Sequence, residues 1–87
     1  MKITRHRLGD QSFIGGKVLK MRDPFVILQV GTWVDATCLW VIESDAGQEE
    51  SVTVFVLIEG DTVPEGAQHV GSFNNAYGNM RHAFVAL

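Results

Sequence analysis

Three kinds of side chain in this sequence are equipped for recognition chemistry. Arg5, Arg7, Arg22 and Arg81 carry guanidinium forks that grip phosphate or carboxylate through paired hydrogen bonds. Trp33, Trp40 and Tyr77 offer aromatic faces on which a planar ring can stack. Asn74, Asn75 and Asn79 add amide donors and acceptors, and residues 74–81 (NNAYGNMR) gather amides, Tyr77 and Arg81 into one short stretch. This vocabulary suits a small, planar, anionic ligand such as a nucleotide. The candidate ligand-binding residues are Arg5, Arg7, Arg22, Trp33, Asn74, Asn75, Tyr77 and Arg81. The plainer alternative, favoured residue by residue, is that Trp40 is core, Tyr77 plugs a turn and the arginines solubilise the surface.

Catalytic chemistry finds less support. There is no phosphate-binding glycine loop, no HExxH and no GxSxG. His6, His69 and His82 are far apart in sequence, and nothing in their spacing calls for a metal site or a cofactor. Glu49-Glu50 reads as part of a solvated turn rather than an acid/base pair. Cys38 is the single cysteine, so a disulfide within the chain is excluded, and its apolar neighbours predict a buried small hydrophobe. No enzyme is expected.

These residues must be positioned by a small scaffold. Eighty-seven residues predict one domain, 1–87, and such a chain buries only about 60–68% of its unfolded surface on folding. Self-association is a common remedy for that thin margin. Hydrophobic residues make up 46% of the chain, too many for disorder. No apolar run is long enough to span a bilayer, and no apolar stretch follows Lys2, Arg5 and Arg7 as a secretory leader requires, so an intracellular protein without a membrane partner is expected.

Charge is unevenly spread. The net charge is −3, yet six of the seven basic residues lie within residues 2–22, leaving only Arg81 beyond, while nine of the ten acids follow residue 22. Such asymmetry marks either an anion-binding face or segments that complement one another across paired strands, and the second is the commoner arrangement. An acidic chain is a poor candidate for wrapping duplex nucleic acid, where several phosphates need neutralising.

The hydrophobic pattern is that of strands. Residues 37–43 (TCLWVIE) and 51–59 (SVTVFVLIE) are apolar on both faces and predict a central hairpin, buried on one side and in an interface on the other. Residues 2–8 read as a polar edge strand. Gly9-Asp10 is a turn, and 17–22 (KVLKMR) is a short strand or one helical turn, stopped by Asp23-Pro24. Residues 25–30 form a further strand, and residues 31–36 form a loop whose Trp33 is either folded back onto the core, the favoured reading, or exposed for contact. Residues 68–73, with Gly71 at a bulge, and 81–87 close the sheet system. The expectation is a mainly β protein: a small antiparallel sandwich or partly open barrel with little helix.

Several of these segments carry a resemblance. CLW at 38–40, VFVLIEGDTVPEG at 54–66, HVGSF at 69–73, RHAFVAL at 81–87 and the opening KITRHRL resemble a family of small uncharacterised proteins of tailed bacteriophages. Arg81 stands before His82 where that family usually has Trp, and Asp61 stands in a usually glycine-rich loop. The resemblance implies a phage genome, a host bacterial cytoplasm and no transferable catalytic residues. It favours an accessory role in counter-defence, either a homo-oligomer that sequesters an immune signalling nucleotide or an inhibitor that binds a host defence protein through a strand edge or apolar face.

Overall fold

The structure, a computed structural model, describes residues 1–9 and 15–87. The expected turn at Gly9-Asp10 therefore lies partly outside the described residues. Among the described residues there are seven strands: β1 (Lys2–Gly9), β2 (Lys17–Arg22), β3 (Phe25–Trp33), β4 (Ala36–Glu43), β5 (Glu49–Leu57), β6 (Gln68–Asn74) and β7 (Met80–Ala86). They form two antiparallel sheets, β1-β4-β3 and β2-β5-β7-β6, that face one another as a sandwich and do not close into a barrel.

The two-sided apolar strands explain the layering. β4 is the middle strand of the first sheet, and β5 lies inside the second between β2 and β7. Leu39 and Val41 from β4, and Val52, Val54 and Val56 from β5, point into the space between the sheets. Met21, Leu8, Val30, Phe73, Ala83 and Val85 complete this core. The alternate residues of β4, Cys38, Trp40 and Ile42, lie on the outer face; Cys38 is buried there and the other two are half-buried.

Four expectations are corrected. Residues 37–43 and 51–59 do not form a hairpin, because β4 takes its hydrogen bonds from β1 and β3 while β5 takes its own from β2 and β7. The two apolar strands meet face to face across the core instead of edge to edge. The loop expected over 31–36 shrinks to Val34-Asp35, because β3 stays paired with β4 as far as Trp33 opposite Ala36. Gly31 is an in-strand residue opposite Cys38. Glu49 and Glu50 open β5 opposite Arg22 and Met21 rather than lying in a turn. Ile58 leaves its strand, since its N–H donates to Asp61 Oδ2 at 2.9 Å and its carbonyl accepts from the Asp61 N–H at 3.1 Å, which starts a turn there.

Oppositely charged residues are neighbours in the strand register. Lys2 lies opposite Glu43, Arg22 lies opposite Glu49, and the amino terminus meets Asp45 at 2.6 Å. Glu43 is itself buried, and its carboxylate accepts from the Arg22 backbone N–H at 2.8 Å and bonds His6 Nε2 at 2.7 Å. Burial pushes this carboxyl up, but the Arg22 N–H, the His6 and Thr4 side chains and the His6 charge together hold it below its ordinary value. It thereby ties β4 to β2, one sheet to the other.

The sheets approach most closely where β3 crosses β6. A Cβ at Gly71 would lie 2.8 Å from Val30 Cγ1, and Thr32 Oγ1 donates to the Asn74 carbonyl at 2.6 Å. The bulge between His69 and Gly71 in β6 sits beside this contact. Toward the other end of the same seam the strands part.

Candidate functional site

β1 and β3 flank β4, and the outer face of this sheet brings N-terminal cations beside the β3–β4 turn. Arg5 lies opposite Trp40, Arg7 opposite Cys38, and Trp33 opposite Ala36. The Arg5 guanidinium carbon sits 4.7 Å from the centroid of the Trp33 ring, a cation–π contact. Arg5, Arg7, Trp33, Val34, Asp35 and Ala36, with Cys38 at the base, line an open depression of about 380 Å³. That volume lies within the range of about 300–1,000 Å³ typical of small-molecule sites.

The chemistry of this depression is mixed. Two guanidinium groups supply paired donors for an anion. Among the described residues neither is held by a carboxylate; the ion pairs found there are Met1–Asp45 and His6–Glu43. Trp33 is 50% exposed even with Arg5 against it, so indole surface remains for a second ring. The expectation that Trp33 folds back onto the core is thereby corrected: the tight turn directs it to the outer face. Asp35 adds an acceptor suited to a hydroxyl or amino group.

The turn that builds the site is strained. Val34 has φ 61°, the left-handed region, and is 85% exposed. A β-branched residue there is a genuine outlier, and hairpin turns of this length ordinarily place Asn, Asp or Gly at such a position. Strain of this kind persists where surrounding structure imposes it and clusters at ligand clamps and active sites.

The other candidates are elsewhere. Arg22 lies on the second sheet, with Nη1 donating to the Gly47 carbonyl at 3.0 Å. Asn74, Asn75, Tyr77 and Arg81 belong to the β6–β7 hairpin. Asn75 is buried, and its Oδ1 accepts the backbone N–H groups of Tyr77 and Asn79 at 3.0 and 2.9 Å, so it holds the turn in shape. Tyr77 is exposed, and Arg81 Nη1 donates to the Met80 carbonyl at 3.1 Å. This hairpin is joined to the Trp33 side of the molecule by the Thr32–Asn74 hydrogen bond. Of the eight candidates, the depression unites Arg5, Arg7 and Trp33.

A second depression, of about 430 Å³, opens where β3 and β6 part, between Phe25 and Ile27 on one side and Gln68, Val70 and Val85 on the other. It is largely apolar and holds none of the candidate residues. Sequence reading also passed over Asp35, which only the two-residue turn brings beside Trp33, and the pairing of His69 with His82 across Ser72. Strand alternation carried a signal for the last of these, because His82 and Phe84 share one face of β7.

Comparison of the chain with protein-family models, with curated proteins and with solved structures gives no match.

Proposed function

We propose that this protein is a non-catalytic binder of a small, planar, anionic ligand, of the class of signalling nucleotides, and that it holds the ligand in the depression lined by Arg5, Arg7 and Trp33. The observation that carries this reading is the Arg5 guanidinium 4.7 Å above the half-exposed Trp33, with Arg7 lining the same hollow. Phosphate would take the guanidinium donors, and a base would stack on the indole. The sequence resemblance to small phage proteins supports a setting in the host bacterial cytoplasm, where the role would be sequestration of an immune signal. Self-association fits the same face: Ile3 and Val26 are 65% and 57% exposed, and Leu28, Trp40 and Ile42 extend the apolar surface toward the depression.

The test is a thermal-shift screen against cyclic di- and trinucleotides and ADP-ribose derivatives, repeated on Arg5→Ala and Trp33→Ala. The reading expects a concentration-dependent rise in Tm for at least one member, lost in both variants. No rise at ligand excess across the panel contradicts it.

A second reading draws on the same exposed apolar residues and on β1, an edge strand of the first sheet. A partner protein of the host could cover that face and be inhibited by it. A monomeric mass for the purified chain, with a single host protein retained from lysate and the retention abolished by Val26→Lys, supports this reading over sequestration.

A further inference from the structure

The outer face of the second sheet carries a different constellation. Ser72 on β6 lies directly opposite His82 on β7, and His69 projects from β6 on the same face, beyond the bulge. Ser72 Oγ is 2.7 Å from His82 Nδ1 and 3.0 Å from His69 Nε2. The two imidazoles therefore aim one ring nitrogen each at a common point. Their centroids are 6.5 Å apart, and the His69 ring leans against Phe84 at 5.2 Å, which limits its rotation.

We propose that His69 and His82 chelate a late first-row divalent metal ion, Zn²⁺, Ni²⁺ or Cu²⁺, with the Ser72 hydroxyl beside it. Neutral imidazole is the side-chain ligand these ions favour. With metal–nitrogen bonds of about 2.0–2.1 Å, one tetrahedral ion needs the two ring centroids roughly 5 Å apart. The observed separation exceeds that by little more than an ångström, a change that small side-chain rotations supply at a surface where His69 and Ser72 are exposed and His82 is half-buried. The hydroxyl has one proton. Where it donates to one imidazole and accepts an N–H from the other, one of the two facing nitrogens carries hydrogen in the metal-free protein. Binding moves that proton to the far nitrogen of the same ring and leaves two lone pairs directed at the ion, with no net change in charge on the protein. The sheet holds both ligands in place beforehand, which a flexible chain would not.

The experiment is titration calorimetry of the full chain with NiCl₂ and with ZnCl₂, repeated on His69→Ala, His82→Ala and His6→Ala. The proposal expects saturable binding of one ion per chain, weakened at least about tenfold by either His69→Ala or His82→Ala, and unchanged by His6→Ala. A mixed solution of the native chain with Ni²⁺ should also shift the imidazole NMR signals of His69 and His82 and leave those of His6 in place. No saturable binding at millimolar metal, or binding indifferent to both substitutions, overturns it.

Discussion

The outer faces of the two sheets share one core between them and are furnished in opposite ways. On the second sheet, polar groups satisfy one another across strands. Lys20 Nζ donates to Ser51 Oγ at 2.7 Å, Arg22 Nη1 donates to the Gly47 carbonyl at 3.0 Å, and Ser72 is shared by two histidines. On the first sheet, Ile3, Val26, Leu28 and Trp33 stand exposed, and Arg5 is satisfied by an aromatic ring rather than an acid. A face whose polar groups are already paired offers little to a planar organic anion, while its imidazoles remain ligands suited to a metal ion. A face that leaves apolar area and guanidinium donors open retains both hydrophobic and electrostatic interactions for a partner. The core residues decide the sandwich, while the two exteriors present different chemistry: apolar area and guanidinium groups on the first sheet, paired polar groups and imidazoles on the second.

That contrast can be broken by substitution. The largest effect is expected in the core that both sheets share. Leu39 is fully buried, and Leu39→Ala should lower unfolding free energy by about 2–5 kcal/mol, measured by urea denaturation. Trp33→Ala, on the outer face of the same sheet, should cost less than about 1 kcal/mol beyond its lost cation–π contact. Equal costs would mean that the outer face is as structural as the core.

Next comes the tie between the sheets. Glu43 is held below its ordinary value of 4.5 in the folded protein, so its ionised form stabilises the fold above that value, and this contribution is lost as pH falls through the folded pKa. Glu43→Gln should destabilise by about 1–3 kcal/mol at neutral pH and flatten the acid limb of the stability profile below about pH 4.5. An acid limb unchanged by the substitution would remove Glu43 from this role.

Smaller effects sharpen the picture of the first sheet. If the chain self-associates through this face as proposed, Val26→Lys should shift it toward monomer in light scattering without changing Tm by more than a few degrees. An unaltered oligomer would move the interface elsewhere. At the strained turn, Val34→Asn should stabilise the chain by about 1 kcal/mol, because Asn tolerates the left-handed region that Val resists. A loss of ligand affinity accompanying that gain would show that the strain serves the site.

Much of the fold was legible in the sequence. The two-face apolarity of 37–43 and 51–59 announced interior strands, although the second ends at Leu57, and alternation placed Leu39 and Val41 opposite Cys38, Trp40 and Ile42 as observed. Strand partnership was not legible. Short apolar runs state that they are buried and do not state beside which strand, so nearness in sequence suggested a β4–β5 pair where the chain instead crosses between sheets. The two-residue turn at Val34-Asp35 carries no Gly or Asn, and so it read as part of a longer loop. The site was legible by residue type. Arg5, Arg7 and Trp33 were nameable as donors and stacker, but their meeting depends on the register of β1 and β3 on β4, a long-range pairing. The same dependence hid His69 and His82, which only the β6–β7 register brings to one serine.

The Arg5–Trp33 hollow is the centre of the proposed binding site. Tryptophan fluorescence of the native protein, titrated with each cyclic di- and trinucleotide of the panel, reads that hollow through its own indole. A saturable change with at least one nucleotide, weakened about tenfold or more by Arg5→Ala, is the predicted result. Fluorescence that stays constant across the panel, or a response that Arg5→Ala leaves intact, contradicts it.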